Sequence, residues 1–212
     1  MFKFFSVTTF FMMDRLMGHQ DSILQRAEER RRRALQLIGE LQLLERWSRF
    51  GKPFVLGSVK MGLVVARDID LNIYSDSPRI EEGFHVMSQI ALLPGVYKIR
   101  FTNALNTPDQ GLYWQIIFRD QSAEEWKIDN WFLSTDHPDA GLGEALAEGM
   151  LEILTEDTRR IILEIKEALL GKAGIRGIDI YRAVIEGGVR AAPEFLEHKK
   201  NRNNSDMVDW RP

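Results

Sequence analysis

Residues 68–74 read Asp-Ile-Asp-Leu-Asn-Ile-Tyr, a strict polar–apolar alternation that constrains the fold more than any other stretch of the chain. A period of two belongs to an extended strand, whose successive side chains face opposite ways. Ile69, Leu71 and Ile73 therefore share a buried face, and Asp68, Asp70, Asn72 and Tyr74 share the other. Two aspartates two positions apart on a strand project from one side, with Cα atoms about 6.5 Å apart.

The surroundings read as alternating punctuation and periodic runs. Phe54, Val55 and Leu56 form a short buried strand that enters Gly57-Ser58 and a helix-like stretch. A helix over 79–92 starts at Ser77-Pro78 and stops at Pro94-Gly95. Strands follow at 97–103, 112–119 and 125–133, joined by turn chemistry at residues 106–109 and 120–122, which predicts antiparallel neighbours. Before them, 21–50 carries the three–four spacing of one helix, capped by Asp21 or Ser22 and ended by Gly51 and Pro53. After them come amphipathic runs at 142–154, 157–170 and 178–185, and a short one at 194–199. The expected fold class is α+β. Its expected parts are an N-terminal arm at 1–20, a strand-rich module with its leading helix at 21–136, a helical C-terminal lobe at 137–200 and a polar tail at 201–212 in which Trp210 could dock.

Two carboxylates as close as those of Asp68 and Asp70 repel, and a hard cation, usually Mg²⁺, holds such a pair ionised. Gly57 lets the backbone approach a phosphate, and Ser58 with the amides of the following turn offers donors. A phosphate cradle and a metal-holding carboxylate pair thus stand about ten residues apart. That is equipment for phosphoryl or nucleotidyl transfer. Asp129, one polar residue in the strand-like segment 126–133, is the candidate third carboxylate.

Gly57, Ser58 and Gly62 followed by Asp68 and Asp70 resemble the G-S-x-x-x-G…D-x-D pattern of the nucleotidyltransferase superfamily, which includes DNA polymerase beta and the antibiotic and minimal nucleotidyltransferases. The likeness covers 53–133 by motif and the remainder by layout. It implies a mixed β-sheet flanked by helices, with a helical lobe behind it. It also implies catalysis and metal binding by Asp68, Asp70 and Asp129, with two Mg²⁺ ions. Nucleotide binding would fall to Gly57, Ser58, Lys60 and Arg67. Two departures stand out: Arg67 replaces the serine common before the first aspartate, and the Gly62–Asp68 spacing is one residue short.

Other chemistries are absent from the sequence. With no cysteine there is no thiol catalysis, disulfide scaffold or cysteine-held metal. No Walker loop, dinucleotide fingerprint, nucleophile elbow or H-E-x-x-H motif occurs, and the four histidines are scattered. His137 reads as a loop residue, and Tyr113, Trp114, Trp126 and Trp131 as sheet and core residues. Lys127 shares the face of Asp129 and Trp131 and would meet a triphosphate or neutralise the acids. Arg30, Arg31, Arg32 and Arg33 spread over about 300° of a helix and read as a solvated face. The net charge of −3 argues against long nucleic acid as a partner. No window is long and apolar enough to span a membrane. Residues 1–13 are apolar but lack a small-x-small cleavage site. They read either as a docking strand or arm, or as a start assigned upstream of Met12, Met13 or Met17.

The expected protein is a cytoplasmic enzyme that moves a nucleoside monophosphate from a nucleoside triphosphate to a hydroxyl acceptor, a small molecule or a protein. The leading helix and apolar arm are where a homodimer would form. The competing expectation is a catalytically inactive member of the same fold that senses nucleotides or docks a protein.

Overall fold

The alternating strand forms in place and organises everything around it: β2 spans Asp68–Ser75, with Ile69, Leu71 and Ile73 buried. The structure, a computed structural model, describes residues 7–119, 124–201, 210 and 212, with side chains from residue 23 onward. Residues 1–6 of the expected arm, the expected turn at 120–122, and 202–209 and 211 of the expected tail lie outside the described residues.

Before β2 come α1 (Val7–Glu40), α2 (Leu43–Trp47), β1 (Lys52–Val55) and α3 (Gly57–Met61). After it come α4 (Ile80–Ile90), β3 (Val96–Asn103), β4 (Leu112–Arg119) and β5 (Glu125–Ser134). Four helices close the chain: α5 (Leu142–Ile153), α6 (Glu156–Ala168), α7 (Gly177–Ile185) and α8 (Ala192–Lys200). The five strands make one mixed sheet in the order β1-β2-β5-β4-β3. The β3–β4 and β4–β5 pairs are antiparallel, as the short connections require, while β2 and β5 run parallel at the centre.

One sheet face is apolar except for one buried amide. Leu112, Trp114 and Ile116 of β4 and Trp126, Ile128 and Phe132 of β5 join the β2 residues there, under α1, α2 and α4. Asn130 is the buried polar side chain of that strand face, with no exposure. Its Oδ1 accepts from Trp47 Nε1 at 3.0 Å, and its Nδ2 donates to the carbonyls of Trp114 and Ile128 at 3.3 Å each. A second core joins Ile23 and Ala27 of α1 to Leu63, Met150, Ile162, Tyr181 and Phe195. Trp210 docks on this core, its indole N–H donating to Glu186 at 2.6 Å.

The leading helix departs from expectation at both ends. It begins at Val7, well before Asp21 and Ser22, because a capping residue permits a helix start without enforcing one. It stops at Glu40, and Gln42 takes a left-handed φ of 49° before α2. That break turns the chain so that Leu43 and Trp47, both with no exposure, reach the sheet; one straight helix over 21–50 would carry them past it. The arginine run is spent locally. Arg30 pairs with Glu167, Arg31 Nε donates to the Val59 carbonyl, and Arg33 pairs with Glu40. Among the described residues, no helix is long and apolar enough to cross a membrane.

Candidate active site

The parallel register of the two central strands sets Asp70 opposite Asp129 and Asp68 opposite Lys127, all on the face away from the apolar core. Residues 59 positions apart in sequence are thereby brought together. Asp68, Asp70 and Asp129 each offer a carboxylate oxygen, all within 4.8 Å of one another. Because each side chain stands on a strand buried on its other face, the cluster is held rigidly.

The neighbours of each carboxylate differ. Oδ1 of Asp129 accepts from the Tyr113 hydroxyl at 2.6 Å and from Gln115 Nε2 at 3.2 Å. Oδ2 of Asp129 faces the Lys127 ammonium at 2.8 Å, and Oδ1 of Asp68 lies 3.2 Å from the same ammonium. That Asp68 oxygen is buried and, beyond this ion pair, has no hydrogen bond. Gly57 has a φ of +58°, and a Cβ there would collide with Oδ2 of Asp70. The glycine therefore serves two needs: a left-handed turn into α3 and room for a carboxylate. Leu56 N–H donates to the Asp70 carbonyl at 2.9 Å, which fixes that approach.

Charge crowding shows in the titration of these groups. Burial, and then the charges of Asp68 and Asp129, push Asp70 up from 3.8 to about 6. Asp68 is raised chiefly by burial, with Lys127 opposing and Asp129 adding to the shift. Burial works against the charged form of Lys127, but its bonds and attraction to Asp129 and Asp68 outweigh that and raise it. Tyr113 is pushed up to about 12 by burial and by its hydrogen bond to Asp129. A hard divalent cation fits this donor set: three acceptor-only carboxylates within one coordination sphere, one of whose buried oxygens lacks a hydrogen bond.

Ser58 opens onto the same region from the helical side. Lys166 of α6 donates from Nζ to Ser58 Oγ at 2.7 Å, to the Leu63 carbonyl at 2.6 Å and to the Tyr181 hydroxyl at 3.2 Å. Neither Lys166 nor Tyr181 was legible as a site residue from motif spacing. The available signal was a lysine set three and four positions after Leu163 and Ile162, where the helix repeat calls for an apolar residue. Tyr113, read from the sequence as a sheet and core residue, and Gln115, which no motif marks, both lie on the carboxylate face, as alternation along β4 requires.

Two expected nucleotide-binding residues stand elsewhere. Arg67 pairs with Glu124. Lys60 lines a cavity of about 440 Å³ between α1, α3, α5 and α6, together with Arg31 and Arg159. Among the described residues, no hydrogen bond or ion pair joins either side chain to the carboxylates. The physical reason is direction: Lys60 lies three positions after Gly57 on α3, and Arg67 reaches the Glu124 carboxylate. His137 lies in a loop, its Nε2 3.0 Å from the Asp109 carbonyl and its Nδ1 accepting from Asp139 N–H. Trp114 and Trp126 are core residues, whereas Trp131 and Tyr113 stack on the carboxylate face with ring centroids 4.8 Å apart.

No protein-family model matches this chain, and no curated protein matches it. Solved structures do. A structure of the Cid1 poly(U) polymerase, in a histidine-to-asparagine variant bound to MgATP, matches 70% of this chain and 47% of its own, with a TM-score of 0.51 and 13% identity. Another Cid1 structure, described for its RNA terminal uridylyl transferase activity, matches 80% of this chain and 52% of its own, with a TM-score of 0.51 and 15% identity. This chain has a nucleotidyltransferase fold. The mixed five-stranded sheet flanked by helices is the architecture that the fold class anticipates. The nucleotidyltransferase-fold chain spans about half the length of these solved structures.

Proposed function

We propose that this nucleotidyltransferase-fold protein moves a nucleoside monophosphate from a nucleoside triphosphate to a hydroxyl acceptor and releases pyrophosphate. The observation that carries the reading is the cluster of Asp68, Asp70 and Asp129 on two rigid strands, beside the turn at Gly57 and Ser58. Asp68 and Asp70 would hold Mg²⁺, and Asp129 would complete a second position. When bound, Mg²⁺ supplies charge neutralisation of the phosphates and acidifies the attacking hydroxyl.

The chain's own groups divide the remaining work. Asp129, held in orientation by Tyr113 and Gln115, takes the acceptor's proton. The acceptor oxygen bonds to the α-phosphorus as the bond from that phosphorus to the bridging oxygen breaks. Ser58 Oγ and the Lys166 ammonium bind the departing pyrophosphate, a task this reading gives to Lys166 rather than to Lys60 or Arg67 because Lys166 already touches Ser58. The acceptor is a small molecule or a protein side chain. The chain carries a net charge of −3, and three of its four consecutive arginines are engaged by Glu28, Glu40, Glu167 and the Val59 carbonyl. The names of the structural neighbours link them to RNA, so a labelled oligonucleotide belongs in the acceptor screen. The cysteine-free composition suits the cytoplasm.

Isothermal titration of ATP, GTP, CTP and UTP, each with and without Mg²⁺, tests the reading directly. Wild type should bind at least one of them more tightly with metal than without, and the Asp68→Asn/Asp70→Asn variant should lose that gain. A folded wild type that binds no triphosphate under either condition would favour an inactive member of the fold.

A further inference from the structure

We infer that Lys127 occupies the metal position as an internal counter-ion, and that a nucleotide's phosphates must draw it away before a divalent cation can bind fully; metal and triphosphate binding are thereby coupled through one side chain. The inference rests on the proposed triphosphate site and adds an order of binding to it.

The geometry leaves little alternative for the cation. Oδ1 of Asp129 is already committed to two neutral donors, Tyr113 at 2.6 Å and Gln115 at 3.2 Å, so Oδ2 is the oxygen left for a metal. Lys127 sits 2.8 Å from that Oδ2 and 3.2 Å from Oδ1 of Asp68, the buried oxygen that makes no hydrogen bond. Among the described residues, both oxygens are therefore held by the ammonium alone. A Mg²⁺ ion needs ligand oxygens at about 2.1 Å, well inside the 2.8–3.2 Å at which the ammonium now stands. A dication and an ammonium cannot share that space, since like charges a few ångströms apart repel strongly at low dielectric.

The side chain is built to move. Lys127 is 41% exposed at its side chain, against 13% for Asp129, so its head can swing on a four-carbon stem while the carboxylates stay fixed. A triphosphate entering beside Ser58 brings several negative oxygens to the same face. The ammonium can then exchange carboxylate for phosphate without being left bare, and the two carboxylate oxygens become available. Without nucleotide, displacement leaves the lysine without its anionic partners. Metal alone should consequently bind weakly, and each ligand should tighten the other by the same factor.

The test is titration of Mn²⁺ into nucleotide-free protein, then into protein saturated with a non-hydrolysable ATP analogue, for wild type and Lys127→Met. In wild type the analogue should tighten Mn²⁺ at least tenfold. In Lys127→Met, Mn²⁺ alone should bind at least tenfold more tightly than in wild type, the analogue should add little, and the analogue itself should bind more weakly. If wild type shows the coupling but Lys127→Met gains no affinity for Mn²⁺ alone, Lys127 is not the gate and the inference falls while the triphosphate site stands. If neither protein binds Mn²⁺ or analogue, both readings fall together. Should Lys127→Met not fold, the nitrogen-15 lysine side-chain spectrum of wild type decides. The slowly exchanging Lys127 signal should move on adding Mg²⁺ with the analogue and stay put with Mg²⁺ alone; movement with Mg²⁺ alone overturns the inference.

Discussion

At the scale of single residues, Gly57 and Asp70 constrain each other. A side chain at Gly57 must adopt a φ of +58° and meet the Asp70 carboxylate, so Gly57→Ala should cost at least about 1–2 kcal/mol and be visible as a lowered Tm. Asp70→Asn has the opposite effect on the metal-free protein. A folded pKa of about 6, above the ordinary 3.8, means that Asp70 favours the fold below about pH 4 and that this contribution is lost as pH rises through 6. Denaturant titrations of metal-free protein at pH 4 and pH 8 should show wild type losing up to about 3 kcal/mol relative to Asp70→Asn. Mg²⁺ added together with a non-hydrolysable ATP analogue should restore wild type at pH 8 and leave the variant little changed. An equal pH response in the two proteins would mean that Asp70 is not strained by its neighbours. The same variant should lose nucleotidyl transfer while keeping its circular dichroism spectrum.

At the scale of elements, the contacts between helices and sheet position the site. Lys166 ties α6 and α7 to the start of α3 through Ser58, Leu63 and Tyr181. Replacing it by Met should weaken triphosphate binding at least tenfold while leaving Mn²⁺ binding in the absence of nucleotide nearly unchanged, a separation that titration reads directly. The strands and the D-x-D pair were legible because period two is a local property, and residues 112–119 came out with the boundaries seen for β4. Most of the later helices were legible for the same reason. The break of α1 at Gln42 was not, because nothing in residues 41–42 marks a stop; the turn exists to deliver Leu43 and Trp47 to the sheet. Nor was the role of Lys166, since what it touches lies 103 to 108 positions earlier in the chain or on another helix. Arg67 and Lys60, which the resemblance implies as nucleotide ligands, make other contacts here: Arg67 pairs with Glu124, and Lys60 lines the cavity between α1, α3, α5 and α6.

At the scale of the whole molecule, α1 runs through both cores. Ile23 and Ala27 belong to the helical one, and Ala34, Leu37 and Ile38 to the sheet one, over about 22 Å of helix. Damage to either core should consequently be felt by both. Ile128→Ala in the sheet and Ile162→Ala in α6, at positions with no exposure, should each cost about 2–5 kcal/mol. Both should shift one common unfolding transition; two separate transitions in either variant would show that the lobes melt independently.

The hydrogen bond between Trp47 and Asn130 bears on how the chain avoids assembling incorrectly. Asn130 follows Asp129 directly, and the two point to opposite sides of the sheet. If β5 docked with its faces exchanged, Asp129 would be thrust against the Trp47 indole, among apolar rings, and Asn130 would be expelled into the acidic cluster. An amide can satisfy both the indole N–H and two carbonyls there, whereas a carboxylate can accept from the first but only repel the others. The buried asparagine thus acts as a quality check, penalising during folding the misassembly that would leave the molecule without its chemistry.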